Sequence, residues 1–366
     1  MDELSIVQPY VPRYRVPFFD GLADALHADG VRLRVIAGSP TGAQAERQDA
    51  ASAPWLETVE SRVLAVGRRH LSLTSSRKLW RGSDAVIVPY QGTSLDALSA
   101  LLRRNDRKVG VWGHIASYTS PLNALDGAIE RWQLRRADHV FAYMPSGAAF
   151  ARRAGVTPDR ITTTMNSIDS AELEREVAAL TGTTARQKLR ERGVPDGPYL
   201  AYVGGLDESK RISFLAHALD IVRERGSDVH VVVLGLGGQA GVLDRAASRG
   251  QVSMLGYGAA ADKAAVLVGA EAVVNPGRVG LIAVDCLAAR TPLITTDWPW
   301  HAPELEYLIE GEQVQITADD PLAFADAMIA ASAGALEHPD TSWPPAPSID
   351  GMVTNFRTGV RHMLAL

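Results

Sequence analysis

The chain of 366 residues has one cysteine, Cys286, so it can form no intrachain disulfide and offers no thiolate cage for a structural zinc ion. It has no apolar run near the roughly 18 residues that cross a bilayer. Met1-Asp2-Glu3-Leu4 carries no basic stretch ahead of a hydrophobic segment. These absences predict a cytoplasmic protein without a cleaved leader. No Asp-x-Asp pair occurs and none of the nine histidines sits at His-x-x-His or His-Glu-x-x-His spacing, so a divalent metal site has no candidate. The Gly-x-Ser-x-Gly elbow and the Gly-x-x-x-x-Gly-Lys-Ser/Thr loop are missing too, which removes the shortest arguments for a serine hydrolase or a P-loop enzyme. Aromatic residues are few, at 6%, but hydrophobic residues at 46% and charged residues at 22% exclude a disordered or fibrous chain.

A formal net charge of -5 argues against a dedicated nucleic-acid binder, yet it hides an asymmetry. Residues 1–173 carry 21 Lys and Arg against 18 Asp and Glu, and the remainder 16 against 24. The basic excess gathers at Arg68, Arg69, Arg77, Lys78 and Arg81, at Arg103, Arg104, Arg107 and Lys108, and at Arg131, Arg135 and Arg136. Solvated helix faces are one reading of these clusters. The other is contact with an anionic acceptor or, peripherally, with the anionic inner face of a membrane.

Short β-branched runs alternate with longer Ala- and Leu-rich segments from end to end, the pattern of βαβ units around parallel sheets, so the fold class is α/β. Strands are expected at Leu4–Gln8, Val31–Ala37, Val63–Val66, Ala85–Val88, Lys108–Trp112, His139–Ala142 and Ile161–Thr164. A second series follows at Tyr199–Val203, Val229–Leu234, Val252–Leu255, Ala272–Val274, Pro292–Thr296 and Val314–Ile316. Between the two lies Ser170–Pro198, a charged helical stretch ending in Gly193-Val194-Pro195-Asp196-Gly197-Pro198. The expected domains are therefore 1–169 and 170–350, two Rossmann-like halves facing a central cleft. A last helix over 351–366, after the Pro-rich stretch Pro339–Pro347, is expected to pack back on the first domain.

Two stretches join glycine turns to strand ends. Asn275-Pro276-Gly277-Arg278-Val279-Gly280-Leu281-Ile282-Ala283-Val284-Asp285 follows an apolar strand and enters a helix. The N–H groups of Gly280, Leu281 and Ile282 then suit an anion. Asp285, one turn further, is either a ribose-binding carboxylate or a helix-capping acid. Tyr202-Val203-Gly204-Gly205-Leu206-Asp207-Glu208-Ser209-Lys210 brings a cation to a strand end in a chain with only five lysines, so Lys210 is either a phosphate ligand or a solvated surface lysine. Gly235-Leu236-Gly237-Gly238 superficially suggests a dinucleotide fingerprint. The next strand ends at Leu255 and continues Gly256-Tyr257 without the ribose acid, which favours a plain glycine turn.

The order of motifs over nearly the whole chain resembles the family-four retaining glycosyltransferases of the GT-B fold. The matching stretches are Gln8 to Phe19, Trp112-Gly113-His114, Ala137 to Ala142, Pro158 to Asp169, Tyr202 to Lys210, Gly280 to Asp285 and Thr291 to Thr296. The resemblance implies that the second domain holds a nucleotide diphosphate sugar as co-substrate, with no other cofactor and no metal. It implies that the first domain holds the acceptor, a saccharide, a lipid-linked compound or a small molecule. It assigns catalytic roles to His114 and Lys210, the former also readable as an ordinary loop histidine. It assigns donor binding to Gly204, Gly205, Lys210, Gly256, Tyr257, Arg278, Gly280, Leu281, Ile282 and Asp285, and acceptor binding to Arg13, Tyr14 and Arg15.

Two positions depart from that family pattern. Gly205 stands where an arginine is usual, and Gly277 where a glutamate is usual, eight residues before Asp285. A hydrogen bond to a charged group contributes roughly 1.5 to 3 kcal/mol and a helix terminus about 0.3 to 1, so another cation is expected to compensate for Gly205. Arg278, Arg211 and Arg15 are the candidates, and His301 and Glu304 are those for the missing glutamate. A nucleotide-sugar epimerase or hydrolase on the same scaffold, or a non-catalytic binding protein, is the alternative reading.

Overall fold

The alternating strands and helices fold as two separate parallel sheets in a computed structural model that describes residues 1–41, 50–66, 69–104, 107–115, 124–336 and 343–366. The first sheet contains β1 (Asp2–Gln8), β2 (Val31–Gly38), β3 (Leu56–Val59), β6 (Ala85–Pro89), β7 (Lys108–Gly113), β8 (His139–Ala142) and β9 (Ile161–Thr163), in the order β3-β2-β1-β6-β7-β8-β9. β4 (Ser61–Val66) and β5 (Arg69–Thr74) form a separate antiparallel hairpin. The second sheet contains β10 (Leu200–Val203), β11 (Val231–Leu234), β12 (Val252–Gly256), β13 (Ala272–Val274), β14 (Leu293–Thr296) and β15 (Val314–Thr317), in the order β12-β11-β10-β13-β14-β15. Helices cover both faces of each sheet, so central strands such as Ala85–Val88 and Val231–Val233 are fully buried and read as unbroken apolar runs.

The chain divides into one compact unit of Met1–Ile168 with Pro347–Leu366 and another of Asp169–Ala346. Each sheet is wound outward in two directions from a central pair of strands, β1 and β6 in the first, β10 and β13 in the second. Two local expectations differ from what is found. Val63–Val66 belongs to the hairpin and not to a parallel strand, and the half-buried edge strand Leu56–Val59 has no unbroken apolar run to announce it. The charged stretch is two helices, Ser170–Ala178 and Gly182–Glu191, because Thr181 and Thr184 cap each other reciprocally and start a new helix. Arg68 and residues 339–342 lie outside the described residues.

The helix Ile349–Leu364 belongs to the first unit and completes its core. It buries Met352, Phe356, Val360 and Met363, and the Phe356 ring stacks on Phe141 at 4.5 Å. Gly359 permits this approach: a Cβ there would lie 2.5 Å from Phe141 Cε1 and 2.7 Å from Thr162 Oγ1. Arg357 closes the contact with two hydrogen bonds to Asp29, at 2.7 and 2.5 Å.

His139 lies beside this helix, buried, with Nε2 2.8 Å from Thr162 Oγ1. Burial pushes its pKa down to about 4, with His362 and Arg160 acting in the same direction and Asp159 against it. The unfolded chain takes up this proton near the ordinary histidine value and the folded chain only near 4. Stability contributed by the neutral ring is thus present above the ordinary value and lost as pH falls through that window. Denaturation midpoints measured between pH 7.5 and 4 should fall on acidification, by up to roughly 3 kcal/mol from this residue, and His139→Gln should flatten that slope.

Candidate functional site

In open parallel sheets, ligands bind beyond the carboxyl ends of the strands where the winding direction reverses. In the second unit that place is between β10 and β13, and the two glycine turns leave these strands side by side. The turns are stitched together. Arg278 N donates to Ser209 O at 2.8 Å, and Lys210 Nζ donates to the Arg278 carbonyl. A Cβ at Gly277 would lie 2.4 Å from the Lys210 carbonyl carbon and 2.5 Å from Ser209 O, so no residue but glycine fits there. The absence of a glutamate at 277 thus has a steric cause. Gly205 is different: it is exposed, and a Cβ would meet only Asp207 Oδ2 at 3.4 Å and Leu236 O at 4.0 Å.

Asp207 fixes the approach to Lys210 by accepting from Ser209 N at 2.9 Å at the start of the 3-10 turn Glu208–Lys210. Arg211 then adopts φ 56°, a left-handed conformation unusual for a side-chain-bearing residue, and starts the helix Ile212–Glu224. Its guanidinium pairs with Asp319, donates to Pro276 O at 3.2 Å and lies 4.3 Å from the Phe214 ring, so Arg211 is committed to holding the turns. Arg278, half-buried, donates from Nε to Trp300 O at 3.1 Å. Burial pulls its pKa down while Asp207 and Glu304 act in the opposite direction.

His301 ties the same region from the β14 side. Its Nδ1 accepts from Val279 N at 3.1 Å, which leaves Nε2 to donate to Thr296 O at 2.8 Å. Burial lowers its pKa; the Thr296 carbonyl opposes this, and Lys210, Arg211 and Arg278 add to the lowering. His301 is therefore a neutral bracing residue, and the three cations are gathered within electrostatic reach of it. Glu304 is buried in the turn Pro303–Tyr307.

Behind the turns, the helix Ile282–Ala289 begins. Ala283 N donates to Gly280 O and Val284 N to Leu281 O, at 2.9 and 3.0 Å, so the N–H groups of Gly280, Leu281 and Ile282 lie at its open end. Asp285 is buried, and both its oxygens accept from Lys263 Nζ, at 2.9 and 3.0 Å. Burial pushes its pKa up and Lys263 pulls it down. Leu236 and Tyr257 stand exposed on neighbouring turns, with Gly256 at φ 72° bending the chain between Leu255 and Tyr257. Gly235 and Gly237 are turn glycines: a Cβ on either would strike Gly204 O or Leu206 O, at 1.9 and 2.2 Å.

In the first unit, the turn after β1 divides the three expected acceptor residues. Arg13 and Tyr14 are exposed, whereas Arg15 is buried, with Nη2 2.6 Å from Asn166 Oδ1 and its guanidinium against the rings of Tyr14, Trp112 and Tyr143. Arg15 belongs to this unit, and so does its packing. His114 follows β7, half-buried, with its ring 4.8 Å from that of Tyr143. A cavity of about 230 Å³ opens at the carboxyl ends of β1, β7 and β8, lined among others by Gln8, Tyr10, Arg15, Trp112 and Tyr143. Among the described residues no group of histidines, cysteines and carboxylates could hold a metal ion. No helix among them is long and apolar enough to cross a membrane.

The residue that sequence reasoning missed is Lys263. Lys263 is one of five lysines, but nothing in the spacing pairs it with Asp285, 22 residues away.

Comparison with known proteins agrees with this architecture. Residues 18–172 match the family model described as Glycosyltransferase Family 4, and residues 197–333 match that described as Glycosyl transferases group 1. No curated protein is similar enough in sequence to match the chain. Among solved structures, a glycosyltransferase from Rickettsia africae superposes with a TM-score of 0.62 at 12% identity, covering 99% of this chain and 98% of its own. HepE of Anabaena in complex with UDP gives 0.59 at 14%, covering 100% and 98%. A putative UDP-N-acetylglucosamine 2-epimerase from Listeria monocytogenes gives 0.63 at 12%, covering 99% and 96%. The chain is thus an α/β protein of the GT-B fold, with two Rossmann-like domains, that resembles the GT-B glycosyltransferases and matches a glycosyltransferase family model in each half.

Proposed function

We propose that this protein transfers a sugar from a nucleotide diphosphate donor, held by the second unit, to a hydroxyl of an acceptor held by the first, with retention and without a metal ion. The observation that carries the reading is the stitched pair of turns between β10 and β13, which gathers Lys210, Arg278 and the open end of the Ile282–Ala289 helix at one strand-end position. HepE, on the same fold, binds UDP, which supports a nucleotide diphosphate as the ligand.

As the bond between the anomeric carbon and the diphosphate oxygen breaks, negative charge grows on the leaving group. Donors already fixed in place stabilise that charge without reorganising. Lys210 is held by a backbone carbonyl, so it is positioned before substrate arrives. The acceptor oxygen bonds to the anomeric carbon on the face the diphosphate leaves, and its proton passes to a phosphate oxygen. Arg278 is the cation that stands in for an arginine at Gly205, since Arg211 is tied to Asp319 and Arg15 is buried against Asn166. Nucleotide-sugar epimerisation is a second reading, favoured by the similarity to the Listeria protein. Acceptor-free conversion of a nucleotide sugar to its epimer would establish it.

Lys210→Ala should lower kcat/KM for the donor tenfold or more, the loss of a contact of roughly 1.5 to 3 kcal/mol; activity within about threefold of the parent would sink the assignment. Excess EDTA should leave turnover unchanged, and proton NMR of the product should show the donor's anomeric configuration. Gly277→Ala should push the two turns apart, lowering both the melting temperature and nucleotide affinity by an amount equivalent to about 1 to 3 kcal/mol, whereas Gly205→Ala should alter neither.

A further inference from the structure

We infer that Lys263 binds the nucleotide donor: its ammonium, held in place by Asp285, donates to an oxygen of the nucleotide, and the carboxylate acts as its bracket. The inference rests on the donor reading of the second unit and adds to it a cation that sequence spacing does not disclose. Lys263 and Asp285 are each the fourth residue of a helix, Ala260–Val268 and Ile282–Ala289 respectively. The first helix follows β12 and the second follows β13, so both first turns lie toward the carboxyl ends of the parallel strands, where ligands of such sheets bind. Lys263 Nζ donates to both oxygens of Asp285, at 2.9 and 3.0 Å.

Stability does not account for this pair. Ile282–Ala289 is buried throughout and Asp285 is its only charged residue, so an apolar side chain there would pack without desolvating a charge. Lys263 stands in the first turn of its own helix, where the helix dipole opposes a cation. What the pair supplies is direction. Both carboxylate oxygens are taken up by one ammonium, and Asp285 has 8% of its side chain exposed against 25% for Lys263. The partner that a ligand reaches is therefore the lysine. An ammonium has three N–H groups, and with two turned to Asp285 the third is left for an acceptor on the ligand. A nucleotide offers two such acceptors, the ribose hydroxyls and the diphosphate oxygens.

Titration calorimetry on the full chain tests this with the diphosphates of uridine, guanosine, adenosine and cytidine, of which the tightest binder is carried forward. Asp285→Asn keeps the lysine and a side-chain oxygen to hold it, and should bind that diphosphate within about threefold of the parent. Adding Lys263→Met to Asp285→Asn strands no buried ion, and this double variant, folded by circular dichroism, should bind tenfold or more weakly than Asp285→Asn alone. Lys263→Gln on the same background repeats the comparison where the methionine variant does not fold. The 2′,3′-dideoxy form of the diphosphate locates the acceptor: the difference between the two variants vanishes if Lys263 meets the ribose and persists if it meets the diphosphate. A tenfold loss in Asp285→Asn overturns the inference by making the carboxylate the ligand, and equal affinities of the single and double variants overturn it by making the pair structural. A parent chain that binds none of the four diphosphates sinks the donor reading itself, whereas binding by the parent without the expected variant pattern removes only the role of Lys263.

Discussion

The backbone of Gly277 approaches that of Ser209 and Lys210 so closely that a single added carbon would overlap it, and the second unit's strand-end site is organised around that contact. Two chain segments more than sixty residues apart are thereby joined at the place where the sheet's winding reverses. The joint is made by backbone groups, with Lys210 reaching a carbonyl and Arg278 N–H reaching another. Such a joint fixes where cations stand without consuming a carboxylate. The second half of the chain is acidic overall, so a diphosphate site there depends on placing its few cations locally. Lys210, Arg211 and Arg278 all bear on His301, which shows how tightly they are gathered.

These cations divide the labour. Arg211 pays for its left-handed backbone by anchoring: it pairs with Asp319, reaches Pro276 O and packs on Phe214. Lys210 and Arg278 are held to backbone carbonyls at the turn itself. Asp285 is drawn off to Lys263 in the interior, so the acid nearest the open helix end is balanced by a lysine of the neighbouring helix.

The parallel strands were legible because helices cover both sides of each sheet, which forces runs such as Val231–Leu234 to be apolar throughout. The edge strand Leu56–Val59 and the hairpin partner Arg69–Thr74 were not, because Leu56 and Val59 are only half-buried and Val63 and Leu64 of the hairpin are exposed, so no face imposes a pattern. The glycine turns were legible as turns. Their steric purpose was not, since Gly277 and Gly205 look alike in sequence while one is closed by a crossing backbone and the other is open. Likewise Asp285 could be placed on its element, but its partner, Lys263, comes from a segment that only the fold brings beside it.

The first unit draws its last core-filling helix from residues 349–364, which follow the entire second unit along the chain. Phe18, Phe141 and Trp112 are closed off from solvent in part by Phe356. During synthesis their apolar surface therefore stays uncovered while the second unit, continuous from Asp169 to Ala346, is made and can fold. Order of completion runs opposite to order of synthesis, and the half emerging first from the ribosome is the half that waits.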